Sequence, residues 1–112
     1  MRIIGGDKKG FKLRLVAKKS RPTLAKVREA IFNILGPEVV GANVLDLFCG
    51  SGALGIEALS RGAKSATFID RDTRSLITNI KEINFKNVVI IKSDVFRAVK
   101  KLPQQNFDII FL

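Results

Sequence analysis

Histidine is absent from the 112 residues, so no imidazole is available as a general base. Cysteine occurs once, at Cys49, which excludes an internal disulfide and fits a reducing cytoplasm. No apolar run approaches the roughly 20 residues needed to cross a bilayer. The opening Met1-Arg2-Ile3-Ile4-Gly5-Gly6 is too short in apolar residues for a signal peptide. There is no internal repeat and no low-complexity tract. Acidic side chains are nearly missing from the first 28 residues, where Asp7 stands alone against ten lysines and arginines, a net of +9. The other 84 residues carry ten basic and nine acidic groups, a net of +1. The positive charge therefore belongs to one N-terminal segment, and clustered basic residues attract a phosphate backbone and release its counterions. A solvated basic arm is the plainer alternative.

What is present is enough apolar material for a core: 46% of residues are hydrophobic, which argues against global disorder. The length bounds the chain at one domain or part of one. Residues 2–4 and 11–16 read as two short strands, the second alternating apolar and basic side chains. The glycines and Asp7 between them supply a turn, giving a hairpin with a basic outer face and tip. Residues 17–22 read as a loop in which Pro22 holds Arg21 extended. Thr23 caps a helix expected to run to Leu35, with Leu24, Val27, Ile31 and Ile34 on its apolar face and Lys26, Arg28 and Glu29 largely elsewhere.

From there the pattern alternates. Apolar runs at 44–48, 66–69, 88–91 and 107–112 read as strands, the last ending at Leu112. Helices are expected from 51 or 53 to 61, from about 73 with Leu76, Ile77, Ile80 and Ile83 buried, and from 95 to 102, where Pro103 stops the last. Strands alternating with helices imply an α/β fold with a parallel sheet. Parallel strands place their carboxyl ends along one edge, and three of these runs reach that edge with a carboxylate: Asp46, Asp70 and Asp94. Gly50, Gly52 and Gly55 form a glycine-rich turn between the first strand and its helix, where the backbone can approach a ligand closely. Asp70 lies 20 residues after Gly50, where it could accept two hydrogen bonds from a ribose diol, and Asp94 could accept one from an adenine amine. Either could instead cap the helix that follows it. A nicotinamide dinucleotide and S-adenosylmethionine both suit such an edge. Asp46, inside an apolar strand, needs a partner, and an acidic group near the turn disfavours a pyrophosphate. It favours S-adenosylmethionine, which has no phosphate and carries an ammonium and a sulfonium.

Asp46-Leu47-Phe48-Cys49-Gly50-Ser51-Gly52 resembles the first motif of class I S-adenosylmethionine-dependent methyltransferases. With Arg21-Pro22-Thr23, the run Val27-Arg28-Glu29-Ala30-Ile31-Phe32-Asn33-Ile34-Leu35 and residues 45–63, the chain is similar to one family in particular. That family is the bacterial methyltransferases acting on N2 of a guanine in 16S ribosomal RNA. Met1 to Gly6 and Lys9-Gly10 fit its N-terminal hairpin, so the resemblance covers essentially the whole chain. It implies a Rossmann-like parallel sheet, here its first four strands, preceded by a basic hairpin and helix. Residues 1–36 would contact RNA and 37–112 would hold S-adenosylmethionine. Asp46, Gly50 and Gly52 would line the methionine end, Asp70 would hold the ribose, and Asp94 with Val95 would border the adenine. Phe48, Ser51 and Arg71 would complete the cofactor contacts. Arg2, Lys8, Lys9, Lys12, Arg21 and Arg28 would approach small-subunit ribosomal RNA or an assembly intermediate of it. Cys49 reads as a small packing residue. No metal is implied.

The family's Asn- or Asp-Pro-Pro-Tyr or -Phe motif, which orients the target amine, would come directly after the fourth strand, beyond Leu112. It is not among these residues, and Asp108 lies at the wrong end of the strand to replace it. The sequence is therefore expected to be an N-terminal portion, with a cofactor- or RNA-binding fragment without catalysis as the alternative. In the family's strand order the fourth strand would be an apolar edge, an invitation to self-association.

Overall fold

The computed structural model describes residues 1–14, 25–102 and 107–112. The order of elements is α1 (Ala25–Leu35), a 3-10 turn (Gly36–Val39), β1 (Asn43–Leu47), α2 (Ala53–Ser60), β2 (Ser65–Asp70), α3 (Arg74–Ile83), β3 (Val88–Lys92), α4 (Val95–Lys101) and β4 (Ile109–Phe111). The four strands form one sheet in the order β3-β2-β1-β4. Every pair is parallel, with Leu47 beside Ile69, Asp46 beside Phe111 and Asp70 beside Lys92. This is the expected α/β architecture, with β4 beside β1 and the carboxyl ends of β1, β2 and β3 on one edge. The expected loop 17–22, Thr23 as a cap, and Pro103 as a stop lie outside the described residues.

The last strand is shorter than the expected 107–112. Its ladder with β1 runs from Val44 beside Ile109 to Asp46 beside Phe111, so Leu112 falls past the paired register and is exposed rather than part of the strand. At the other end Asp108 meets Asn43 instead of extending the ladder. Its N–H donates to the Asn43 carbonyl and its Oδ2 accepts the Asn43 N–H, each at 2.8 Å.

Alternation within the strands divides the core in two. Val44, Ala66 and Phe68 face one side, where they pack with Ile56 of α2, Leu76 and Ile83 of α3, Phe32 of α1 and Phe111 of β4. Leu45, Leu47 and Ile69 face the other, against Val95 and Ala98 of α4. The run Val44-Leu45-Asp46-Leu47 is continuous rather than alternating because β1 is central and covered on both faces.

The N-terminal segment is a narrow hairpin with one antiparallel bridge, Arg2 to Lys12. Ile3 and Leu13 point inward and join the larger core, while Arg2 and Lys12 are exposed, as the alternation requires. The hairpin lies on the end of α2, held largely through its own backbone. Glu57, fully buried, accepts the N–H groups of Ile4 (2.8 Å) and Gly5 (2.9 Å) and the Arg61 Nε (2.9 Å). The Ser60 hydroxyl accepts from the Lys8 N–H and donates to the Gly5 carbonyl, and its backbone oxygen accepts from the Asp7 N–H.

Helix α1 differs from expectation in the face it buries. Val27 and Ile34 are exposed, Ile34 by 85%, whereas Arg28 and Phe32 are buried. The reason is tertiary. Phe32 packs tilted against Phe111 with ring centroids 5.8 Å apart, and the Arg61 guanidinium stacks over its ring at 4.9 Å. Arg28 Nη2 donates to the Arg2 carbonyl at 2.8 Å, drawing the guanidinium under the hairpin. Among the described residues its Nε and Nη1 have no hydrogen-bond partner, and desolvation lowers its pKa although Glu57 opposes this. Arg28 is thus an interior group and not part of an outward basic face.

Candidate cofactor site at the carboxyl edge of the sheet

Strand β1 delivers Asp46 to a buried position beneath the glycine-rich turn, only 2% exposed. Its Oδ2 accepts the Gly55 N–H at 3.0 Å, from the first turn of α2. Burial pushes this carboxyl up to about 7; the Gly55 hydrogen bond opposes the rise and the nearby Asp70 charge adds to it. A carboxyl so poised gains from a cation placed beside it. Gly55 is also where helix meets strand without clearance: a Cβ there would stand 2.3 Å from the Phe68 ring and 3.1 Å from Asp46 Oδ2. The fingerprint's third glycine is therefore required by packing.

Beyond β1 the chain turns sharply. Phe48 adopts a left-handed backbone (φ 57°), unusual for a bulky residue and common where a site constrains the chain. Its N–H is held by the Ile69 carbonyl at 2.9 Å. Its ring is exposed and meets Phe96 edge-on, centroids 6.2 Å apart. Gly50 donates its N–H to Asp70 Oδ2 at 2.9 Å, so the turn and the end of β2 are directly joined. Asp70 Oδ1 also accepts the Asp72 N–H at 3.2 Å. Gly52, in the left-handed region, begins α2, and Ser51 is buried. Cys49 sits in the core and burial raises its thiol pKa, so it stays a neutral packing group.

At the third strand end, Asp94 caps α4 by accepting the Arg97 N–H at 3.1 Å, and pairs with Arg71 at 2.6 Å. The Arg71 hydrogen bond, then the Arg97 one, holds its carboxyl below the ordinary range. Asp94 thus caps the helix that follows it, and it stands at the strand edge as expected. Val95 is buried in the smaller core, its side chain packed with Leu45, Leu47 and Ile69.

The site residues expected from sequence therefore converge on one edge, with Asp46 below the turn, Gly50 and Asp70 bonded to each other, and Asp94 and Arg71 paired. Leu112, which marks where the amine-orienting motif is expected to begin, follows β4 at this same edge: Phe111 before it is in register with Asp46. Its own side chain is exposed and brings no polar group to the site. Of the basic residues, Arg2, Lys9 and Lys12 are exposed, Lys8 is half-buried, and Arg2 Nη1 donates to the Gly10 carbonyl at 2.9 Å. Arg21 lies outside the described residues, and Arg28 is inside. Among the described residues no group of histidine, cysteine, aspartate or glutamate could hold a metal ion.

Three buried polar residues were not singled out from sequence: Glu57 and Ser60, which hold the hairpin on α2, and Asn79, which bonds the Ser51 carbonyl of the glycine-rich turn. All are buried, Glu57 and Asn79 completely. Each interrupts an apolar helix face, Glu57 and Ser60 within the nearly all-buried α2 and Asn79 between Leu76 and Ile83 of α3. That interruption is the signal that could have found them.

A parallel sheet ordered β3-β2-β1-β4 with a glycine-rich turn and acidic strand ends along its carboxyl edge defines the Rossmann-like fold of class I methyltransferases. The chain belongs to the family described as Conserved hypothetical protein 95, whose model matches residues 1–112. It is 44% identical over 109 residues to Ribosomal RNA small subunit methyltransferase D of Escherichia coli K12, covering 92% of this chain and 55% of that protein. The protein of the same name from Buchnera aphidicola subsp. Acyrthosiphon pisum is 39% identical over 114 residues, covering 98% of this chain and 60% of that one. Among solved structures, yhhF from Escherichia coli superposes with a TM-score of 0.80 at 41% identity, covering 88% of this chain and 55% of that one. The chain thus spans a little over half the length of these relatives. The family resemblance read from the first motif, the Arg-Pro-Thr segment and the hairpin is borne out.

Proposed function

We propose that this chain binds S-adenosylmethionine at the carboxyl edge of its sheet and small-subunit ribosomal RNA along its N-terminal arm, as part of an enzyme that methylates N2 of a guanine. The observation that carries the cofactor reading is Asp46. A buried carboxyl below the turn, with the Asp70 charge near it, suits a ligand bearing an ammonium and a sulfonium and opposes a pyrophosphate. The likeness to proteins named Ribosomal RNA small subunit methyltransferase D supports the substrate class.

In this reading Asp46, Phe48, Gly50, Ser51 and Gly52 surround the methionine end of the cofactor, Asp70 holds the ribose, and Asp94, Val95 and Arg71 border the adenine. The cofactor when bound supplies the electrophilic methyl group. What the chain supplies is position: Gly50 and Asp70 arrive already joined, so the turn is ordered before a ligand enters. Residues 1–36 contribute the RNA-facing surface through Arg2, Lys8, Lys9, Lys12 and Arg21, and 37–112 the cofactor half. No catalytic residue is assigned within these 112. The group that orients the target amine is proposed to come from a Pro-Pro motif following β4 and Leu112. A cytoplasmic location accompanies an RNA substrate and a lone cysteine; among the described residues no helix is long and apolar enough to cross a membrane.

The test is a calorimetric titration of the chain with S-adenosylhomocysteine and with NAD. Binding of the first and not the second is expected; the reverse overturns the reading. For the arm, the salt dependence of binding to 16S ribosomal RNA should flatten when Lys8, Lys9 and Lys12 are neutralised together. An unchanged slope would remove RNA contact from the arm.

A further inference from the structure

Among the described residues, Asn79 is a side chain that touches both halves of the proposed machinery. It projects from the middle of α3 and is wholly buried. Its Oδ1 accepts the Arg14 N–H at 2.8 Å, and its Nδ2 donates to the Arg14 carbonyl at 3.0 Å. The same Nδ2 donates its second hydrogen to the Ser51 carbonyl at 3.0 Å. One amide therefore grips the backbone of the glycine-rich turn on one side and the backbone of the hairpin's outgoing strand on the other. Both N–H groups and the carbonyl are used, so the amide is fixed in orientation. Arg14 is bound to α3 a second time, through an ion pair with Glu82 at 3.2 Å, one helical turn along and largely exposed.

Resting on the cofactor and RNA reading above, we propose that Asn79 is a positioning residue that makes cofactor binding and RNA binding on this chain mutually reinforcing. A ligand that settles the turn fixes the Ser51 carbonyl. That orients the Asn79 amide, and the amide in turn holds both backbone groups of Arg14 in the hairpin. The same links run in reverse when RNA engages the hairpin, and binding linkage requires the two effects to be equal. Glu82 is not a substitute: its contact is a solvent-screened pair with the Arg14 side chain and never reaches the turn.

The experiment has two parts. In the wild-type chain, hydrogen exchange at the Arg14 amide is followed with and without saturating S-adenosylhomocysteine. Exchange slowed by about fivefold or more is expected; an unchanged rate while the ligand is bound overturns the proposal and leaves the cofactor reading standing. Failure of the ligand to bind overturns both. In the second part, affinity for S-adenosylhomocysteine is measured with and without 16S ribosomal RNA. The wild type and Glu82→Gln should each show tighter binding with RNA, by about fivefold or more, and Asn79→Ala should show less than about twofold. Coupling retained in a folded Asn79→Ala, judged by its circular dichroism, overturns the proposal. If that variant does not fold, Asn79→Leu, which fills a similar volume without the amide, is read the same way, and the wild-type exchange rate decides independently.

Discussion

Asp46 is the residue on which the cofactor reading turns, and its burial has a consequence for pH. Its carboxyl rises from 3.8 to about 7 on folding, so in that window the folded chain keeps a proton that the unfolded chain has lost. Stability without ligand should therefore be highest below the unfolded value, fall as pH climbs towards about 7, and level off above it. Asp46→Asn should flatten that slope in thermal melts recorded across the range. Affinity for S-adenosylhomocysteine should move the opposite way. It should gain up to roughly tenfold between about pH 6 and pH 8 as the carboxylate forms, and the gain should vanish in the same variant. Gly55 makes the companion prediction. A Cβ 2.3 Å from the Phe68 ring has nowhere to go, so Gly55→Ala should cost about 1–3 kcal/mol in urea unfolding.

At the scale of elements, the strands were legible because each is a short apolar run, and two of the four, β2 at Asp70 and β3 at Lys92, close on a polar residue at the carboxyl edge where the topology gathers them. The fourth run continues apolar through Leu112, and its pairing with β1 stops at Phe111, a limit that only the partner strand sets. The glycine-rich turn was legible because it too is a local pattern. What could not be read is what depends on distant partners. Arg28 looks like a surface cation on a helical wheel, but its partner is the Arg2 carbonyl 26 residues earlier. Glu57 meets Ile4 and Gly5 across 53 and 52 residues, and Asn79 meets Arg14 across 65. No periodicity reports such pairings. The clasp between α2 and the hairpin is itself testable. Glu57→Ala leaves two backbone donors and the Arg61 guanidinium without their acceptor and should cost about 3 kcal/mol. Faster hydrogen exchange at Ile4 and Gly5 is the local readout. Glu57→Gln, which keeps one acceptor oxygen, should fall between.

For the whole molecule, β4 pairs with β1 alone among the described strands and shows Ile110 53% exposed. An apolar parallel edge of this kind recruits a further strand. The chain should therefore self-associate in sedimentation velocity as concentration is raised, and Ile110→Lys should reduce that association; a monomer throughout would count against it. The opposite end of the molecule is arranged differently. The hairpin tip docks on α2 through the backbone N–H groups of Ile4, Gly5, Asp7 and Lys8, none of which depends on a side chain of the tip. Gly6 is the confined position, since a Cβ there would lie 2.0 Å from the Ser60 carbonyl. The side chains at 7, 8 and 9 are consequently free to be rewritten while the mount stays the same. The arm is built like a holder with an exchangeable bit, and on the proposed RNA reading, selectivity for one RNA surface over another can drift there without disturbing the proposed cofactor site behind it.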